Sequence, residues 1–154
     1  MSIKGFRFSL ETPLKIKIIH KTQLEAELID ARNKMNAGKR QLDKLQNEEL
    51  ELYSKLTTLV SKGINVQELK ARRTYLGYLV ERINSQKLEN EKLRNKYKDI
   101  QNALTKLLNE INQLEDLKDE KLKEFLKEIE VQEQKELEER INYDSSVQGG
   151  MMYG

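Results

Sequence analysis

Two long runs of apolar residues, each spaced alternately by three and four, dominate this chain, and a short break at Ser61-Lys62-Gly63-Ile64-Asn65 separates them. The first run is Leu24, Leu28, Ala31, Met35, Gly38, Leu42, Leu45, Leu52, Leu56 and Leu59. The second is Leu69, Leu76, Leu79, Ile83, Leu93, Tyr97, Ile100, Leu104, Leu107, Ile111 and Leu114. Such spacing keeps one narrow stripe turned toward a partner helix, as in a coiled coil. Because the runs share a chain and a short break, each is the nearest partner of the other. The pattern predicts an all-α fold, a long two-helix antiparallel coiled-coil hairpin with a protruding C-terminal helix.

The apolar residues lie in seams and do not form a mass that could fill a globular core. With six Tyr, three Phe, no Trp and one Pro, a sheet-rich fold is disfavoured. The absence of cysteine excludes disulfides and thiolate metal sites. No stretch approaches the roughly 20 apolar residues that span a bilayer, and Met1-Ser2-Ile3-Lys4-Gly5-Phe6-Arg7 lacks the apolar core of a signal peptide. A soluble cytoplasmic protein is the expectation. The net charge of +2 hides a segregation: residues 1–21 carry Lys4, Arg7, Lys15, Lys17 and Lys21 against Glu11 alone, whereas residues 115–139 carry eleven acids against five lysines. A hairpin brings these ends together, a modest and salt-dependent preference for the antiparallel arrangement.

Residues 1–143 read as one domain. Phe6, Phe8 and Leu10 alternate with Arg7, Ser9 and Glu11 in an extended sense, and Thr12-Pro13 stops that pattern. Thr12 suits a helix N-cap and Pro13 the first helical position. Helix one is expected over about 13–62, ending at Gly63, which tolerates a left-handed cap. After a turn at 63–65, Asn65 caps helix two, Glu68 completes a capping box, and Ile64 and Leu69 form a hydrophobic staple. Helix two is expected over about 66–141, and residues 144–154 as a disordered, flexible tail.

If paired positions sum to about 128, the layers become Leu59/Leu69, Leu52/Leu76, Leu45/Ile83, Leu24/Leu104 and Leu14/Leu114. Gly38 then faces Asn90, and Ala31 faces Tyr97, so small seam residues meet larger or polar ones. Some layers are polar: Glu49 against Leu79, Leu42 against Gln86, Lys17 and Lys21 against Ile111 and Leu107. After Leu114 the stripe continues through Leu122, Phe125 and Ile129 only with a stutter. Beyond about residue 116, helix one has no residues left to cover helix two.

A two-helix rod offers almost no concavity for an active site. The seven glycines form no phosphate loop, and His20 is the only histidine. The carboxylates alternate with lysines as on a solvated face. No enzyme activity, metal or cofactor is expected. Lys70-Ala71-Arg72-Arg73, followed by Tyr75 and Tyr78, is basic and aromatic, but its excess charge is too small to predict nucleic-acid binding. Gly77 costs about 1 kcal/mol relative to alanine in a helix interior. It is either a tolerated surface defect or a point of close approach by a partner.

Phe6-Arg7-Phe8-Ser9-Leu10-Glu11, with Leu14 following, resembles the opening of FliJ-family proteins of the bacterial flagellar export apparatus. The length and two-helix layout are similar over residues 6–141. The resemblance implies a non-enzymatic stalk of type III secretion that serves flagellum biogenesis, motility and chemotaxis. Such a stalk inserts into the hexameric flagellar export ATPase, promotes ring assembly, and links it to the cytoplasmic domain of the membrane export gate and to export chaperones. It implies a cytoplasmic protein, peripherally associated with the inner face of the membrane at the flagellar base. The family's gate-binding spacing falls on Tyr75, Leu79, Arg82 and Gln86, although Arg82 and Gln86 depart from the side chains of its better-known members. The ATPase-binding part falls on Phe6, Phe8, Leu10, Leu14, Leu122, Phe125, Leu126 and Ile129. The alternative is a chaperone-like or structural coiled-coil interaction protein.

Overall fold

The computed structural model describes the backbone of residues 4–153 and the side chains of residues 4–149. Helix α1 spans Glu11–Ser61 and α2 spans Val66–Tyr153. They pack against each other as an antiparallel hairpin, and the described residues include no strand. The chain divides into two compact units: His20–Leu107, and Met1–Ile19 together with Leu108–Gly154.

In the unit His20–Leu107, local chemistry makes the turn. The N–H of Lys62 donates to the carbonyls of Thr58 and Leu59, and that of Gly63 to Val60, so these three carbonyls in the last turn of α1 are satisfied within the chain. Gly63 has φ +86°, a conformation that side-chain-bearing residues rarely adopt. Asn65 then caps α2: its Oδ1 accepts from the N–H of Gln67 at 2.8 Å, and its carbonyl accepts from Leu69 at 2.9 Å. Glu68 does not complete a reciprocal capping box. Its carboxylate receives Arg72 one turn on, at 3.2 Å.

The seam of this unit follows the expected register. Leu45, Leu79 and Ile83 form one buried cluster, with Leu42 and Leu52 packed on it, which places Leu45 beside Ile83. Burying each such side chain contributes about 1.5–3 kcal/mol relative to exposure. Leu24 and Ala31 are also buried. One layer is polar: Asn90, only 9% exposed, donates from Nδ2 to the Gly38 carbonyl at 3.1 Å and accepts at Oδ1 from Gln86 Nε2 at 2.8 Å. A Cβ on Gly38 would collide with that Oδ1 and press on Leu93 Cδ1. The glycine is there so that an amide can reach a main-chain carbonyl.

In the unit formed by the two chain ends, Phe8, Leu14 and Ile111 are buried. Lys17 Nζ bonds Glu110 Oε2 at 2.7 Å, and Lys118 Nζ lies 2.8 Å from Glu11 Oε2. These cross-helix pairs show how a seam lysine is accommodated: the stem covers apolar surface while the ammonium reaches a carboxylate at the edge.

Three local expectations differ from the structure. First, α1 begins at Glu11, not at Pro13. The Glu11 N–H donates to Phe8, and Leu14 donates to Leu10, so Leu10 holds the cap position and Thr12 lies within the first turn. Pro13 is accommodated there because the first N–H groups of a helix have no intrahelical acceptor. Second, α2 does not stop near Ile141 but runs on to Tyr153 through the stretch expected as a tail. No proline interrupts it, and adding a residue to an existing helix needs no new nucleus. Third, α2 is covered further than residue 116, because the segment before α1 folds over it. The Phe6 and Phe125 rings lie 5.5 Å apart, and Gly5 (φ +86°) sits beside Phe125, where a Cβ would stand in ordinary contact 3.5 Å from its ring. From Leu126 to Gln148 every residue is exposed. Residue 154, the last of the expected tail, and residues 1–3 lie outside the described residues.

Candidate functional site

The four residues matched to a gate contact do not share one environment. Leu79 is completely buried in the seam cluster, and Gln86 is half-buried with its amide committed to Asn90. Tyr75 and Arg82 are exposed, and Tyr78 lies between them. The Tyr75 and Tyr78 rings are 6.3 Å apart, and the Arg82 guanidinium stands 5.9 Å from the Tyr78 ring centre. Tyr75 donates its hydroxyl to Glu48 Oε1 of α1 at 2.7 Å. That bond to a carboxylate, aided by desolvation, holds the phenol above its ordinary pKa. The surface presented on this side is therefore Tyr75-Tyr78-Arg82, carried on Leu79.

The residues matched to an ATPase contact fall into an inner and an outer set. Phe8 and Leu14 are buried, and Phe6, Leu122 and Phe125 are half-buried. Their part is to clamp the leading segment onto α2. Leu10, Leu126 and Ile129 are exposed, and Val131, Leu137, Ile141, Tyr143 and Val147 continue as exposed apolar side chains along α2. Glu128, Glu130, Glu133, Glu136, Glu138 and Glu139 interleave with them, so this single helix is acidic with scattered apolar anchors. At its root, the Lys118 ammonium stands 2.8 Å from Glu11 Oε2 and draws that carboxyl below its ordinary pKa.

A further surface was not singled out from the sequence. Taking Leu42 and Leu56 as a positions and Leu45, Leu52 and Leu59 as d, the e positions of α1 are Lys39, Gln46, Tyr53 and Val60. On α2 they are Arg73, Val80, Lys87 and Arg94, with Gly77 one helical turn from Arg73 and from Val80. Lys39, Lys87 and Arg94 line one cleft, while Glu48 and Tyr75, both g positions, hydrogen-bond to each other. Thus e flanks e and g flanks g. Leu50, Tyr53, Val60 and Val80 are exposed on the e side, and Gly77 has nothing within 4 Å of a hypothetical Cβ. The available signal was a second three-four series, Leu50, Tyr53, Thr57 and Val60, displaced from the seam by one position. A hairpin needs only one stripe, and this second one faces outward.

Among the described residues, no group of three or more His, Asp or Glu could hold a metal ion, and no helix is long and apolar enough to cross a membrane. What the molecule offers are helix faces, and the class it defines is that of antiparallel coiled-coil hairpins. The chain matches the family model described as flagellar FliJ protein over residues 6–148, and it belongs to that family. It is accordingly a component of the flagellar export apparatus. No curated protein and no solved structure matches the chain.

Proposed function

We propose that this protein is a non-enzymatic stalk of the flagellar export apparatus, inserting its acidic α2 end into the export ATPase hexamer and promoting assembly of that ring. The observation that carries this reading is the length of α2 left uncovered from Leu126 to Gln148. A single acidic helix of this kind, with Leu126 and Ile129 exposed at its root, is suited to an enclosing protein collar. The exposed faces nearer Gly63 serve the cytoplasmic domain of the export gate and the export chaperones. The candidate gate contacts are Tyr75, Tyr78 and Arg82 on one flank and Leu50, Tyr53 and Val80 on the other. On this reading the protein works in the cytoplasm, against the inner face of the membrane at the flagellar base.

The test is oligomerisation of the purified export ATPase of the same organism, followed by sedimentation and by hydrolysis rate. The full chain is expected to shift the ATPase toward hexamer and raise its specific activity. Leu126→Glu with Ile129→Glu should abolish both effects while leaving the helical circular dichroism signal intact. An ATPase whose assembly is unchanged by the full chain would overturn the proposal.

A further inference from the structure

The e flank of the unit His20–Leu107 carries an electrostatic anomaly. In antiparallel helix pairs e positions face e positions, and complementary charges there stabilise the pair. Here Lys39 of α1 and Lys87 and Arg94 of α2 line a cleft of about 280 Å³, with Asn90 and Leu42 in its wall and Glu91 as the one carboxylate at its edge. None of the three cations has an ion pair among the described residues. Three other polar contacts do cross between the helices: Lys17 with Glu110, Lys118 with Glu11, and Tyr75 with Glu48. Cations gathered across a seam destabilise a hairpin in isolation, and an incoming anionic surface reverses the sign.

The cleft continues an apolar face. Tyr53 and Val60 on α1 and Val80 on α2 occupy the same flank and are exposed. From Lys39 to Val60 is about 30 Å of helix at 1.5 Å per residue, the length of a helix of about 20 residues. Apolar anchors at one end, with Arg73 beside them, and three unpaired cations at the other fit an amphipathic helix that carries most of its acids toward one terminus.

We propose that this flank binds an acidic amphipathic helix of a partner protein, laid along the groove as a third helix. Its apolar side chains pack on Tyr53, Val80 and Leu42, and its carboxylates meet Lys39, Lys87 and Arg94. The proposal rests on the reading above that the exposed face nearer Gly63 docks the export gate, and it specifies the chemistry of that contact.

The probe is the purified cytoplasmic domain of the export-gate protein, titrated against the full chain by calorimetry. Lys87→Glu combined with Arg94→Glu changes only exposed positions, and an unchanged melting curve verifies the fold. The expected result is a loss of affinity of about 10-fold or more, together with a weaker salt dependence between about 50 and 300 mM. Carbodiimide cross-links should join Lys39 and Lys87 to carboxylates of one helical segment of the probe. If the reversal changes affinity less than about 2-fold while Tyr53→Ala with Val80→Ser weakens it strongly, the acidic helix is refuted and the docking face survives. If neither pair alters binding, both fall. Weakening confined to the export ATPase, or to self-association in sedimentation, would overturn the assigned occupant.

Discussion

Asn90 on α2 donates its side-chain amide to the main-chain carbonyl of Gly38 on α1, 52 positions away in sequence, at 3.1 Å. This is the one place in the seam where side chain meets backbone across the hairpin among the described hydrogen bonds. It depends on Gly38 having no Cβ and on Asn90 being only 9% exposed. A polar residue at such a seam position costs stability relative to leucine but specifies which helix faces which, and in what register.

Gly38 and Gly77 should therefore respond oppositely to alanine. Alanine has the better helix propensity by about 1 kcal/mol at both. At Gly77 nothing opposes that gain, since a Cβ there meets no atom within 4 Å, so Gly77→Ala should stabilise by about 0.5–1 kcal/mol. At Gly38 the new methyl collides with Asn90 and displaces its amide. Gly38→Ala should destabilise by about 1–3 kcal/mol. Urea melts of the two variants, followed by circular dichroism, check both signs at once.

Asn65 and Gly63 are expected to control the turn. Asn65→Ala removes the bond to the Gln67 N–H and should cost about 1 kcal/mol. Gly63→Ala forces a Cβ into positive φ and should cost about 1–2 kcal/mol. Because the cap and the left-handed glycine lie in one short turn, the double variant should fall short of additivity. A double-mutant cycle from denaturant melts measures the shortfall.

The Glu11–Lys118 pair should give the open end an acid-sensitive clasp. The folded pKa of Glu11 is lowered, so its contribution is present above the ordinary carboxyl pKa and is lost as pH falls through the folded value. The native protein should lose protection of residues 6–11 more steeply below about pH 4.5 than Glu11→Gln does. Hydrogen exchange by mass spectrometry across that range reads the difference directly.

Phe125→Ala should release the leading segment and leave both helices in place. The Phe6–Phe125 contact contributes about 0.5–1.5 kcal/mol beyond its buried area. Limited proteolysis should then cut near Arg7 faster by about 10-fold, while cleavage within Leu42–Leu52 keeps its native rate. Unchanged cleavage at Arg7 would show that Phe8 alone holds the segment.

The seam was legible in the chain because its rule is local in one dimension. A three-four spacing determines a stripe, the position of Gly63 determines where the chain reverses, and together they determine the register that brings Leu45 to Ile83. The chemistry of the turn was also legible, since a left-handed glycine and an asparagine cap are properties of consecutive residues. The tip of the leading segment was not. Its covering of α2 depends on Phe6 meeting Phe125, a contact between residues that no periodicity relates.

For the same reason, the candidate contact residues were only partly legible. Helical spacing brought Tyr75, Leu79, Arg82 and Gln86 together as one series, but only three-dimensional packing determines which of them a partner can reach. Leu79 is enclosed by Leu45 and Ile83, and Gln86 is occupied by Asn90, whereas Tyr53 and Val80 lie free on the other flank. The sequence by itself determined that this chain is a hairpin with one end left over. Only the tertiary structure decided which faces remain open, because exposure is set by what the opposite helix covers, and coverage is a property of the pair.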